Sequence, residues 1–284
     1  MNKILLIGGS GQVGWELQRS LAPLGTLVVR PHSSLDLTQD AAIRQTIRET
    51  RPDIVVNAAA YTAVDQAEQE ADLAMVINGR APAIMAEEAR AIDALLVHYS
   101  TDYVFDGTKA SPYLEDDPPN PLSVYGKTKL AGERAIVEQS CRHLIFRTSW
   151  VYGLHGKNFL RTMQRLGRER NELKVVADQF GAPTWSRMIA ETTALALRGA
   201  AADGVYHLPC AGSTTWHGFA AAILAAQNWQ GRLLPIPASE YPLPARRPAN
   251  SRLDHSKLQR QLRLSPPDWE TALALCLADD AAPR

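Results

Sequence analysis

The chain has 284 residues, of which 45% are hydrophobic and 21% charged, enough for one large α/β domain or a nucleotide-binding unit with a smaller lobe. Lys plus Arg and Asp plus Glu both number 30, so no global field draws the protein to nucleic acid or to a membrane surface. The three cysteines, Cys141, Cys210 and Cys276, show neither a paired framework nor metal-ligand spacing, and are expected as reduced thiols in a cytoplasmic protein.

The first apolar run, Ile4–Ile7, is broken by Gly8 and is too short for a secretory leader. No stretch approaches the roughly 18 apolar residues of a membrane span. Strands are expected at Lys3–Ile7, Thr26–Arg30, Asp53–Ala58, Leu95–Tyr99 and Leu144–Arg147, with helices at Val13–Leu21, Ala41–Thr50, Leu73–Ala91 and Tyr125–Gln139 between them. Strands this apolar, alternating with helices, imply a doubly wound parallel sheet covered on both faces. Beyond about residue 150 the rhythm loosens. Leu173–Ala177 and Gly204–Leu208 read as strands, Met188–Leu197 and Thr215–Gln227 as helices, Pro235–Pro248 as loop or extended chain, and Pro266–Leu277 as a terminal helix. The expected division is a mainly dinucleotide-binding part, 1–150, and a mainly substrate-binding lobe, 151–284, interleaved with it.

Gly8, Gly11 and Gly14 follow the first strand and open a helix. Glycines there allow a tight turn and a close backbone approach to a pyrophosphate at the helix N-terminus. Arg30 ends the second strand, where a dinucleotide fold reads the adenosine ribose. An acidic residue would bond a free 2′-hydroxyl, whereas an arginine favours a 2′-phosphate, so NADPH is the preferred coenzyme and NADH a usable one. Asn57-Ala58-Ala59-Ala60 closes the third strand with small residues, suited to a flat coenzyme or to close strand–helix packing.

Tyr125 and Lys129 stand four apart at the start of a helix and share one face. A free phenol titrates near about 10, and a nearby cation lowers that value towards the range useful for acid–base work. Ser100-Thr101-Asp102 ends the fourth strand, where a hydroxyl can bond a reacting carbonyl. Trp150, after the fifth strand, is either a sugar-stacking ring or core. Arg246, Arg247 and Arg252 form either a clamp for a nucleotide diphosphate or a solvated basic loop.

Glycine turn, Thr101, Tyr125 and Lys129 come in the order of the extended short-chain dehydrogenases/reductases, and the chain resembles the bacterial dTDP-4-dehydrorhamnose reductases. The segments that carry this are GGSGQVGWEL from Gly8, VNAAAYTAVD from Val56, HYSTDYVF from His98, VYGKTKLAGE from Val124, FRTSWVYG from Phe146, DQFGAPT from Asp178 and RRPANSRL from Arg246. The resemblance implies that Gly11, Gln12 and Val13 meet the coenzyme pyrophosphate, Asp36 and Leu37 the adenine, and Ala60, Tyr61, Thr62 and Tyr99 the remainder. It implies that Thr101, Asp102 and Trp150 meet the dTDP-4-dehydro-sugar, with Tyr125 protonating the new alkoxide and Lys129 bonding the nicotinamide ribose and acidifying Tyr125; Arg247, from the arginine run, is the further substrate-binding candidate. The implied reaction is reduction of dTDP-4-dehydro-β-L-rhamnose to dTDP-L-rhamnose, for O-antigen and other surface polysaccharides. A homodimer is the implied assembly. Glu16 joins an intersubunit metal site in some relatives, but one carboxylate is not a metal site, so no metal ligands are assigned and Mg2+ is left open. Two other readings share the scaffold: a nucleotide-sugar epimerase or epimerase-reductase, and a regulatory subunit similar to the methionine adenosyltransferase β-subunit.

Overall fold

The computed structural model describes residues 2–199 and 202–281; the outermost residues of the expected 1–150 and 151–284 parts, 1 and 282–284, lie outside the described residues. Five strands, β1 (Asn2–Ile7), β2 (Gly25–Arg30), β3 (Ile54–Asn57), β4 (Leu95–Thr101) and β5 (His143–Thr148), join Gly204–His207 in a six-stranded sheet. Its order is β2, β1, β3, β4, β5, Gly204–His207, and every pairing is parallel. Parallel strands need crossover helices, and these cover both faces. On one face α1 (Gln12–Ser20) and helix Ser186–Arg198 pack Leu17, Leu21, Ile189 and Ala190 over Ile4, Leu6 and Val56. On the other, α2 (Asp40–Thr50) and helices Ala81–Ala91 and Val124–Glu138 pack Ile43, Ile47, Met85 and Ile136 over Leu5, Val55 and Ile145.

After β1 the chain runs outward to β2, then returns to β3 on the other side of β1. The carboxyl ends of β1 and β3 therefore diverge into a crevice at the switch point, the usual ligand position in an open α/β sheet. A separate core gathers Tyr152, Leu160, Trp185, Phe219, Ile223, Trp269 and Leu273 from helices Phe159–Glu169, Trp216–Ala226 and Trp269–Ala281 and neighbouring segments. A parallel pair, Glu172–Val176 with Arg232–Ile236, adjoins it.

Several sequence expectations shift. Helices Phe159–Glu169 and Ser256–Leu262 were not anticipated. The expected helix over Leu73–Ala91 carries a π turn at Val76–Arg80, which widens the coil and turns Asn78 inward. The terminal helix starts at Trp269 rather than Pro266, because Pro267 restricts its predecessor and neither proline donates an N–H. Strand Gly204–His207 and helix Ser186–Arg198 belong to the main sheet and its cover although both lie beyond residue 150. Among the described residues no helix is long and apolar enough to cross a membrane.

Candidate functional site

A cavity of about 750 Å³ opens at the switch point. Its floor is the glycine turn. Gly8 has φ +83°, a left-handed value that glycine adopts without strain, and a Cβ there would lie 2.5 Å from the Ala59 nitrogen. A Cβ on Gly14 would run into the Gly8 carbonyl. The Gly8 amide donates to the Arg30 carbonyl (2.9 Å), fastening the turn to the end of β2. Gly11 caps α1 without a side-chain acceptor and no acidic residue occupies the first turn, so the helix's leading N–H groups remain for an anion. A cradle that side chains would fill, under uncapped amides, fits a dinucleotide pyrophosphate.

Gly8, Gly11, Gln12, Val13, Arg30, Asp36, Leu37, Ala60, Tyr61, Thr62, Tyr99, Tyr125 and Lys129 all line this cavity, and Gly14 lies against the turn. The Arg30 guanidinium makes no ion pair among the described residues, its side-chain bond there being to the Val29 carbonyl at 3.4 Å. Asp36 is occupied by its own turn, accepting from the Thr38 amide (2.9 Å) and hydroxyl (2.8 Å), which hold its carboxyl below the usual range. The Tyr99 phenol bonds the Thr193 hydroxyl (2.8 Å).

The reactive end is built by a helix start and a strand end. Ser123 caps helix Val124–Glu138, its hydroxyl accepting from the Gly126 amide (3.1 Å), while Glu68 accepts from the Val124 amide (2.8 Å). Tyr125 thus lies in the first turn and Lys129 one turn on. Thr101 ends β4 and donates to Asp102 Oδ1 (3.0 Å). The other Asp102 oxygen is buried without a partner among the described residues. Burial raises that carboxyl to about 7, with the nearby Ser251 hydroxyl and the Thr101 bond pulling the other way.

The expected effect of Lys129 on Tyr125 is corrected here. Lys129 Nζ donates to the Tyr99 carbonyl (2.5 Å) and lies 3.3 Å from His98 Nε2. The phenol of Tyr125 is raised to about 12, by burial first and then by the Asp102 charge, with the Thr101 hydroxyl opposing. Lys129 itself is lowered to about 8 by burial, against the pull of Glu133. The phenol therefore holds its proton firmly.

Trp150 is buried, adopts φ +47°, stacks on Trp216 at 3.7 Å, and presses against Gly181, its indole N–H without a partner among the described residues. Trp216 lines a second cavity, of about 790 Å³, together with Arg247 and Tyr241. The Arg247 fork is taken by Asp65 (3.0 and 2.7 Å), and Arg252 is spent on Asn250 and the Ala110 carbonyl. Those two arginines fasten the loop. Arg246 stays exposed. Glu16 is buried and paired with Arg187 (3.2 Å), which also binds Asp279. Among the described residues of this one chain no group of three His, Cys, Asp or Glu is placed to hold a metal ion.

Three features escaped the sequence reading. Asn78, in the π turn, accepts from the Tyr61 amide (2.9 Å) and donates to the Tyr61 carbonyl (3.0 Å) and to Thr128 (3.1 Å). His98 is buried in β4; a histidine inside an otherwise apolar central strand was the available signal. The loop over 153–158 clasps the glycine turn, with His155 Nε2 3.0 Å from the Ser10 carbonyl, Asn158 donating to Gln12 (2.9 Å), and His155 stacked on Trp15 at 4.3 Å.

A doubly wound parallel sheet with a switch-point cavity ending on a tyrosine–lysine pair defines a Rossmann-type nucleotide-dependent reductase or epimerase. Residues 1–282 match the family model described as RmlD substrate binding domain, and the chain belongs to that family. It is 50% identical over 295 residues, covering 98% of both chains, to a dTDP-4-dehydrorhamnose reductase of Burkholderia thailandensis. It is 48% identical to one of Escherichia coli K12, covering 95% of both. A solved dTDP-4-dehydrorhamnose reductase from Bacillus anthracis, in complex with NADP, superposes with a TM-score of 0.93 at 37% identity, covering 98% of this chain and 99% of that one.

Proposed function

We propose that the protein reduces the C4 keto group of dTDP-4-dehydro-β-L-rhamnose to give dTDP-L-rhamnose. The observation that carries this is a coenzyme cradle ending on Tyr125 and Lys129 in one cavity, with the Thr101 hydroxyl beside Tyr125, within a chain half identical to a reductase of that name. A bound reduced nicotinamide supplies hydride to the carbonyl carbon. The carbonyl π electrons move to oxygen, and Tyr125 gives that oxygen its phenolic proton. A phenol raised by burial keeps the proton until an alkoxide, a far stronger base, forms beside it. Thr101 orients the carbonyl, and Lys129 bonds the nicotinamide ribose. On this reading 1–150 mainly holds coenzyme and 151–284 mainly holds sugar nucleotide, the second cavity taking part of the latter. Tyr103 connects the two: its ring meets Tyr125 edge-on at 6.1 Å, and Arg247 lies close enough to bond its phenol.

Incubation with dTDP-4-dehydrorhamnose and each reduced coenzyme, followed by nicotinamide absorbance, is expected to show stoichiometric loss of coenzyme with substrate. An epimerase that recycles its coenzyme would leave the absorbance unchanged, and that result would reject the reductase.

NADPH is the preferred donor on this reading, with Arg30 meeting the 2′-phosphate. Its position on the cavity wall, beside His32 and without a carboxylate partner, supports this. Arg30→Ala is expected to lower the NADPH-to-NADH ratio of kcat/KM about five-fold, the scale of one partly solvated charge contact. Equal efficiencies in the parent, or a ratio unmoved by the substitution, would refute it.

A further inference from the structure

Behind Lys129 lies a chain of hydrogen-bonding groups that the reaction just described does not use. His98 is 1% exposed, on β4, between Asn57 at the end of β3 and Lys129 on the helix above. The Ala59 amide donates to Asn57 Oδ1 (3.2 Å), and a backbone N–H can bond only an acceptor, so the orientation of this side-chain amide is fixed. Asn57 Nδ2 therefore faces His98 Nδ1, at 3.1 Å, and that ring nitrogen must accept. The ring is neutral, because burial alone pushes its protonation well below the ordinary range. A neutral imidazole that accepts at Nδ1 carries its hydrogen on Nε2.

That hydrogen points at Lys129 Nζ, 3.3 Å away. An ammonium has three donors and no lone pair, so it would set donor against donor. A neutral amine satisfies every group: it accepts from His98 Nε2 and donates to the Tyr99 carbonyl at 2.5 Å. The other groups that set the charge of Lys129 are few. Glu133, on the same helix, draws a proton towards it but is itself matched by Arg147 of β5 (2.7 Å). Tyr125, also on that helix, is an uncharged phenol, and Asp102 after β4 acts on Tyr125.

We propose that Asn57 and His98 are a positioning pair that presents an N–H to Lys129 and favours its neutral amine at alkaline pH, so that coenzyme binding there is accompanied by proton uptake at Nζ. Turning from His98 to the ribose hydroxyls frees the lone pair; Nζ takes one proton from solvent and becomes the ammonium. The pair acts through Lys129 and touches neither substrate nor coenzyme. The proposal rests on the coenzyme reading above.

Calorimetric titration of the protein with NADPH and with NADH, in buffers of different ionisation enthalpy, counts the protons taken up on binding. Between about pH 8 and 9 the parent is expected to take up on the order of half a proton or more with either coenzyme. The 2′-phosphate does not contribute, since NADH lacks it. His98→Gln presents a carbonyl that accepts from an ammonium, so Lys129 is already protonated and the uptake is expected to fall to near zero while binding persists. Binding without uptake in the parent, which needs no variant to fold, would overturn the role of the pair alone. Undiminished uptake in His98→Gln would also overturn it. No binding of either coenzyme would overturn the coenzyme reading and this role with it.

Discussion

Tyr125→Phe is expected to lower kcat by about 10²–10⁴-fold, the usual contribution of a positioned general acid, with coenzyme affinity nearly unchanged. The substitution removes one hydroxyl and keeps the ring, which packs edge-on against Tyr103 at 6.1 Å. The phenol makes no hydrogen bond that the fold depends on among the described residues, so the melting temperature should stay close to that of the parent. What is lost is the proton for the new alkoxide. Thr101 can still orient the carbonyl, and Asp102, raised to about 7 and buried beside the phenol, is the nearest other proton holder. Residual activity in the variant should therefore fall as pH rises through about 7, where that carboxyl loses its proton. Steady-state kinetics of the variant check both points. A kcat above half the parent value would remove Tyr125 from the acid role.

The residues that bound the coenzyme cavity were legible because backbone needs leave a compositional trace. Gly8 must adopt φ +83° and Gly14 must admit the Gly8 carbonyl, so glycine is written into the sequence at both. The strand–helix alternation that surrounds them is equally plain. What stayed hidden depends on three-dimensional context. Nothing local announces that Val76–Arg80 widens into a π turn, and without it Asn78 reads as one more polar residue on a helix. The arginines of the Arg246–Arg252 run could be either clamp or loop, and only long-range partners decide: Asp65 is 182 residues from Arg247. The acidity of Tyr125 was misjudged for a similar reason. Spacing puts Lys129 on the same helical face, but the lysine bends to the Tyr99 carbonyl, and burial with Asp102 sets the phenol's acidity instead.

Glu133→Ala is expected to destabilise the fold by about 3–5 kcal/mol, the cost of leaving a buried charge without its partner. Arg147, on β5, and Glu133, one turn beyond Lys129, have side chains 5% and 4% exposed and meet through paired bonds of 3.0, 3.2 and 2.7 Å. The remaining guanidinium nitrogen donates to the Glu115 carbonyl at 3.3 Å and lies 3.5 Å from His207 Nε2. His207 cannot take the place of the carboxylate. Its Nδ1 faces the Tyr113 and Asp254 carbonyls, both at 3.1 Å, and must donate, so Nε2 is a neutral acceptor. Burial and the arginine together lower this ring to about 3. Removing Glu133 therefore strands a cation among Phe105, His207 and backbone carbonyls. Replacing both partners by apolar residues of similar size, Glu133→Leu with Arg147→Met, removes the charge as well as its partner and should recover most of the loss. Urea unfolding of the two single variants and the double variant measures this directly. If Glu133→Ala costs less than about 1 kcal/mol, or the double variant is no more stable than the single ones, the pair is not the electrostatic lock that joins the catalytic helix to the sheet.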